Sequence, residues 1–135
     1  MDLPALVQRI IYPHTHTPEA AWSAAANSGY AGAIMATSHM LWVGRLLSVP
    51  GPIGPGLLQL GFGFAYILFA HLAFRRSRVA SIAILGLIVF EILVEIVFAL
   101  GFRLNLIILA VALILAVGGF RGAKAIFNHH RKSRT

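Results

Sequence analysis

The sequence predicts an all-α, multi-pass membrane protein: a four-transmembrane-helix bundle with a short N-terminal amphipathic interfacial helix. Three observations carry that prediction. Of the 135 residues, 59% are hydrophobic and 11% charged, against roughly 25% charged in a soluble domain, and mean hydropathy is +0.83. Four stretches between charges reach the length of about 20 apolar residues that a crossing helix needs. Lys and Arg gather at the ends of those stretches, where they anchor and orient spans. A soluble fold would have to bury several such runs in one core, for which a domain of this size has too little interior.

Residues 1–19 read as an anchor on the cytoplasmic surface. Leu3, Leu6, Val7, Ile10 and Ile11 follow helical spacing, with Asp2 as cap and Pro13 as stop, the pattern of a helix lying in the membrane interface. An acid at position 2 and no basic stretch before the first apolar block do not resemble a cleavable signal peptide, so the first span is expected to direct insertion.

Residues 20–120 hold the bundle, with spans at about 20–44, 56–74, 79–102 and 104–120. The first is rich in Ala, Ser, Asn and Gly and inserts weakly by composition. Its small residues recur every four positions, Ala21, Ala25, Gly29, Ala33 and Thr37, and again Ala24, Ser28, Gly32 and Ala36. That repeat lets transmembrane helices approach closely, so Ala25, Gly29, Gly32 and Ala33 are the expected packing residues. Trp22 and Trp42 bracket the span as interfacial aromatics do. Pro50, Pro52 and Pro55 then break the chain, and the second helix starts near Gly56. The third and fourth spans are dense in Ile, Leu and Val, and the short turn between them makes them antiparallel neighbours. Residues 121–135 form a basic cytoplasmic tail.

Charge tests the count of spans. With four, Arg9, Arg75, Arg76, Arg78, Arg121, Lys124, Arg131, Lys132 and Arg134 share one side and Arg45 and Arg103 the other, nine against two. Three spans, with 20–44 on the surface, divide the charges eight against three. The bias places both termini in the cytoplasm and the chain in a bacterial inner membrane. Arg75, Arg76, Arg78, Arg121 and Lys124 are suited to anionic lipid headgroups. The net charge of +7 thus reads as topology, and no nucleic-acid partner is expected.

The absence of cysteine excludes disulfides and thiolate metal sites. Gly61 and Gly63 in LGFGFAY lie within an apolar span with no strand before them, so they read as a close helix contact or mild bend rather than a phosphate loop. His39 and His71 sit at opposite depths and cannot ligate one haem iron. No nucleophile, base and orienter set stands out for an enzyme. HTH at 14–16 and the His129, His130 pair are short histidine tracts of the kind that can bind metal, or solvated ends.

The chemistry concentrates in VFEILVEIVFAL, where Glu91 and Glu95 stand one turn apart near mid-span. Such residues face a bundle interior or cavity. Two carboxylates about 6 Å apart repel by roughly 3 kcal/mol at an effective dielectric of ~20, so the pair holds a proton or a cation. At about 1.5 Å per residue, Gln59, Tyr66, Tyr30 and His39 are within reach in depth. Three readings stay open: interhelical glue, a proton or cation pathway, or contact with a basic residue of another subunit. No cofactor or metal site is expected, apart from a cation that the sequence leaves open on Glu91 and Glu95 and the histidine tracts named above. The functional expectation is a small non-enzymatic membrane protein, an accessory or structural subunit in a homo-oligomer or larger assembly. The alternative is a proton- or cation-coupled transporter or channel subunit using Glu91 and Glu95.

Overall fold

A computed structural model describes residues 3–48, 51, 53–98 and 103–132. They form five helices, α1 (Leu3–Ile11), α2 (Pro18–Leu47), α3 (Gly54–Phe74), α4 (Arg78–Phe98) and α5 (Arg103–Lys132), and no strand occurs among the described residues. Asp2, Pro50 and Pro52, to which the sequence assigns cap and breaker roles, lie outside them.

Local chemistry explains the boundaries. Thr17 caps α2 by accepting from the Ala20 amide at 3.2 Å, with Pro18 in the first turn and Glu19 beside it, a residue order that satisfies and charge-balances a helix N-terminus. α3 ends in a left-handed residue, Arg76 at φ 67°. The Arg76 amide bonds the Ala73 carbonyl at 2.8 Å and the Ser77 amide bonds that of Leu72 at 3.0 Å, the paired bonds of a Schellman stop. Ser77 then starts α4, its hydroxyl accepting from the Ala80 amide at 3.3 Å.

The two 30-residue helices, α2 and α5, are each about 45 Å long and run antiparallel. α2 packs against α5 on one side and α3 on the other, α4 closes against α5 and α3, and α1 lies against α5. The main core runs through Ala31, Met35, Tyr66, Ile84, Ile88, Ala112 and Ala116. Beyond the end of α3, a smaller cluster of Ala21, Ala25, Ala123 and Ile126 joins the first third of α2 to the last third of α5. Residues 121–132, read from the sequence as a tail, continue α5 without a break.

The α2 and α5 backbones meet at Gly119 and Gly122. A Cβ at Gly119 would collide with the Ser28 hydroxyl and backbone, and one at Gly122 with the backbone of Ala24 and Ala25. Of the packing residues expected from sequence, Ala25, Gly29 and Gly32 are buried. Ala33 is exposed. The correction has a geometric cause: steps of four overshoot a 3.6-residue turn by about 40° each, so the later members of the stripe rotate off the face its first members bury.

Two helices, Gly56–Phe74 and Leu106–Arg131, are long and apolar enough to cross a membrane among the described residues. Of the most apolar 18 residues in each, 22% and 39% are buried.

Candidate functional site

Three helices converge on Glu91. From α3, the Tyr66 hydroxyl donates to Glu91 Oε1 at 2.7 Å. From α2, His39 Nε2 lies 3.1 Å from the same oxygen, and its Nδ1 faces the Gln59 amide oxygen in a short hydrogen bond. Tyr66 is fully buried and His39 nearly so, while the Glu91 side chain retains 17% of its exposure.

Spacing on α3 builds the receiving face. Gln59, Phe62, Gly63 and Tyr66 recur at three- and four-residue steps and so share one side of the helix. The His39 ring lies nearly parallel to both aromatics, with centroids 5.6 Å from Phe62 and 5.4 Å from Tyr66. Gly63 opens the space for α2, since a Cβ there would meet Met40 Cε at 2.7 Å and His39 Cβ at 3.4 Å. Gly61 has open space around it instead, so Gly63 is the glycine of LGFGFAY that serves a close contact.

The proton inventory follows from the acceptors. With Gln59 presenting its oxygen, Nδ1 must carry a hydrogen, and the Tyr66 hydroxyl donates to Glu91. The remaining proton then has two places along one axis. It sits on Nε2, giving imidazolium against carboxylate, or on Oε1, giving neutral imidazole that accepts from a carboxylic acid. Both arrangements satisfy every partner without moving a heavy atom, and both are neutral overall. Neutrality removes most of the penalty that a lone carboxylate pays in an apolar interior.

Of the six residues expected from sequence, Glu91, His39, Gln59 and Tyr66 come together. Tyr30 does not: it is 55% exposed and meets the edge of Phe74 at 5.2 Å, at the end of α3. Glu95 lies on α4, but its side chain is outside those described. Phe62 and Gly63 complete the site and were not singled out for it, although their spacing from Gln59 and Tyr66 is readable in the sequence. Among the described residues, no group of three His, Asp or Glu side chains could hold a metal. His129 Nε2 donates to the Thr15 carbonyl at 3.1 Å, tying the two histidine-bearing ends together.

The residues assigned to lipid headgroups all lie at the end of the bundle away from the α2–α3 connection. Arg75 and Lys124 are exposed. Arg76 covers the Trp22 ring at 3.8 Å and Arg78 faces Phe127 at 5.2 Å. Arg121 is engaged within the protein, donating to the Ile11 carbonyl at 3.1 Å and lying 4.0 Å over Tyr12. It stabilises the C-terminus of α1, where a cation opposes the helix dipole.

Compared with protein families, characterised proteins and solved structures, the chain matches none.

Proposed function

We propose that the chain is an integral membrane protein of four spans, with both termini in the cytoplasm of a bacterial inner membrane. In this reading it works as a non-enzymatic accessory or structural subunit, and the Glu91 site fastens its helices. One observation carries the structural role: a single carboxylate oxygen of α4 accepts from Tyr66 of α3 and shares a hydrogen bond with His39 of α2. Polar contacts of this kind hold helices together where lipid supplies no hydrophobic drive.

Exposed side chains support the membrane setting. Leu57, Leu58, Phe64, Ile67 and Leu68 on α3 and Val79, Ile82, Val89, Phe90, Leu93 and Ile96 on α4 all face outward, more apolar surface than a water-soluble monomer tolerates. α2 exposes fewer large apolar side chains, Tyr30, Leu41 and Leu47, because α3 and α5 cover much of it. The grouping of Arg75, Arg76, Arg78, Arg121 and Lys124 at one end supports the orientation. An open side of α2, where Tyr30, Ala33, Thr37, Leu41 and Ile108 border a groove of about 420 Å³, supports assembly with a second copy or another subunit.

The topology is tested with single cysteines, which the cysteine-free chain permits. An impermeant maleimide added outside intact cells is expected to label Leu47→Cys and to spare Arg131→Cys. The reverse pattern would invert the orientation, and equal labelling would remove the membrane reading. A second reading, proton transfer, draws on the two equivalent proton positions and the partial exposure of Glu91. Its test is proton flux into vesicles holding the purified protein and a pH dye: flux lost in Glu91→Gln supports transport, and none in wild type leaves the fastening role.

A further inference from the structure

We propose that the cavity between the start of α4 and the last third of α5 binds one anionic phospholipid, its phosphate among Arg76, Arg78 and Arg131 and its acyl stems on Ala123, Ile126 and Phe127. This rests on the reading of the chain as a membrane protein. The cavity holds about 600 Å³ and is lined by those six residues together with His130. Its position is at headgroup level, just past Phe74 at the end of a candidate span.

Charge complementarity defines the ligand as an anion. The chain has four acidic residues, of which Glu91 and Glu95 lie far along α4. Among the described residues, no carboxylate forms an ion pair with Arg76, Arg78 or Arg131; the ion pair found there is His39 with Glu91. Three guanidiniums around an apolar floor therefore have no acidic partner among the described residues, and guanidinium matches phosphate in both charge and hydrogen-bond geometry. The apolar floor distinguishes a lipid from a free anion, which would leave Ile126 and Phe127 facing water.

The backbone gives a second, independent sign. Arg76 occupies the left-handed position of the Schellman turn, where glycine is the unstrained residue. A chain that keeps an arginine there accepts a conformational cost, and strained positions cluster where a side chain is required for binding. Trp22 holds the Arg76 guanidinium from one side at 3.8 Å and Phe127 holds that of Arg78 at 5.2 Å, so both are oriented before any ligand arrives.

The test is native mass spectrometry of the full chain in neutral detergent, titrated separately with phosphatidylglycerol, phosphatidylcholine and inorganic phosphate. Wild type is expected to retain one phosphatidylglycerol at concentrations where phosphatidylcholine dissociates. Arg78→Gln and Arg131→Gln should each weaken retention about tenfold, the loss of one charge-assisted hydrogen bond. Arg9→Gln, exposed on α1 and outside the cavity, should bind as wild type. Arg131 sits on the last turns of α5, so that variant is expected to fold even if Arg78→Gln does not. Equal weakening in Arg9→Gln and Arg131→Gln would overturn the site in favour of diffuse attraction. Displacement of the lipid by millimolar inorganic phosphate would overturn a lipid in favour of a soluble anion. Failure of the membrane reading is distinguishable, because the wild-type protein would then fail to float with neutral phosphatidylcholine vesicles.

Discussion

Replacing Glu91 by Leu removes the acceptor shared by Tyr66 and His39 while keeping a side chain of similar reach. The Tyr66 hydroxyl and His39 Nε2 are then buried without a partner. An unsatisfied buried group costs about 1–3 kcal/mol, and interhelical hydrogen bonds in lipid fall nearer 0.6–2 kcal/mol. The expected loss is therefore about 2–4 kcal/mol. Glu91→Gln keeps an acceptor oxygen and loses the shared proton, so it should cost less, about 1–2 kcal/mol. The diagnostic variant is the triple, Glu91→Leu with His39→Leu and Tyr66→Phe, which removes every polar member. Buried networks replaced whole by apolar side chains are often as stable as the original, so the triple should recover most of what the single loses. Equilibrium unfolding in mixed detergent micelles with SDS as denaturant measures all three. A Glu91→Leu protein as stable as wild type would refute the fastening role, and so would strictly additive losses across the triple, since coupled partners must interact.

Other consequences are simpler to read. Gly122→Ala, and independently Gly119→Ala, push a methyl group into the α2 backbone and should cost about 1–3 kcal/mol in the same unfolding assay; Gly61→Ala, with open space around it, should not. At position 76, Arg76→Gly should be more stable than Arg76→Ala by about 1 kcal/mol, because both lose the Trp22 contact and only glycine relieves the left-handed backbone. Tyr30→Phe should leave both stability and any vesicle proton flux unchanged, since Tyr30 points away from Glu91.

The site was legible in part because depth is legible. Counting 1.5 Å per residue from the charged ends of the spans brings Tyr66 level with Glu91, and Gln59 level with His39 in the outer half, and each pair does meet. The same counting misplaced Tyr30. It took the middle of 20–44 as the middle of the bundle, but Gly29 packs on Phe74 and His39 on Phe62 and Tyr66, so α2 is shifted along α3 and its first turns pair with α5 instead. An Ala- and Ser-rich helix has no hydropathy edge from which that shift could be read. The Gly119 and Gly122 contact could have been found, because Ala112 and Ala116, Gly118 and Gly122, and Gly119 and Ala123 each stand four residues apart, like the small residues of the first span. Helix rotation on α2 was not legible, since two interleaved four-residue stripes offer competing faces, and Ala33 fell on the wrong one.

α2 is less apolar than α3 and α4 and more enclosed than either, and the two properties explain each other. In the proposed membrane setting, lipid rewards Leu, Ile, Val and Phe, and α3 and α4 present such residues outward, among them Phe64, Ile67, Phe90 and Leu93. Between helices that reward vanishes, and what remains is close packing and polar bonding. Gly119, Gly122 and Ser28 provide the first; His39 and Glu91 provide the second. A more apolar α2 would insert better alone yet could not approach α5 to backbone contact, because every added side chain lengthens the distance that glycine closes. The carboxylate in the middle of VFEILVEIVFAL belongs to the same arrangement. In the proposed membrane setting its cost is avoided only while α2 brings His39 against it, so there the polar pair stabilises the assembled bundle and no partly assembled one.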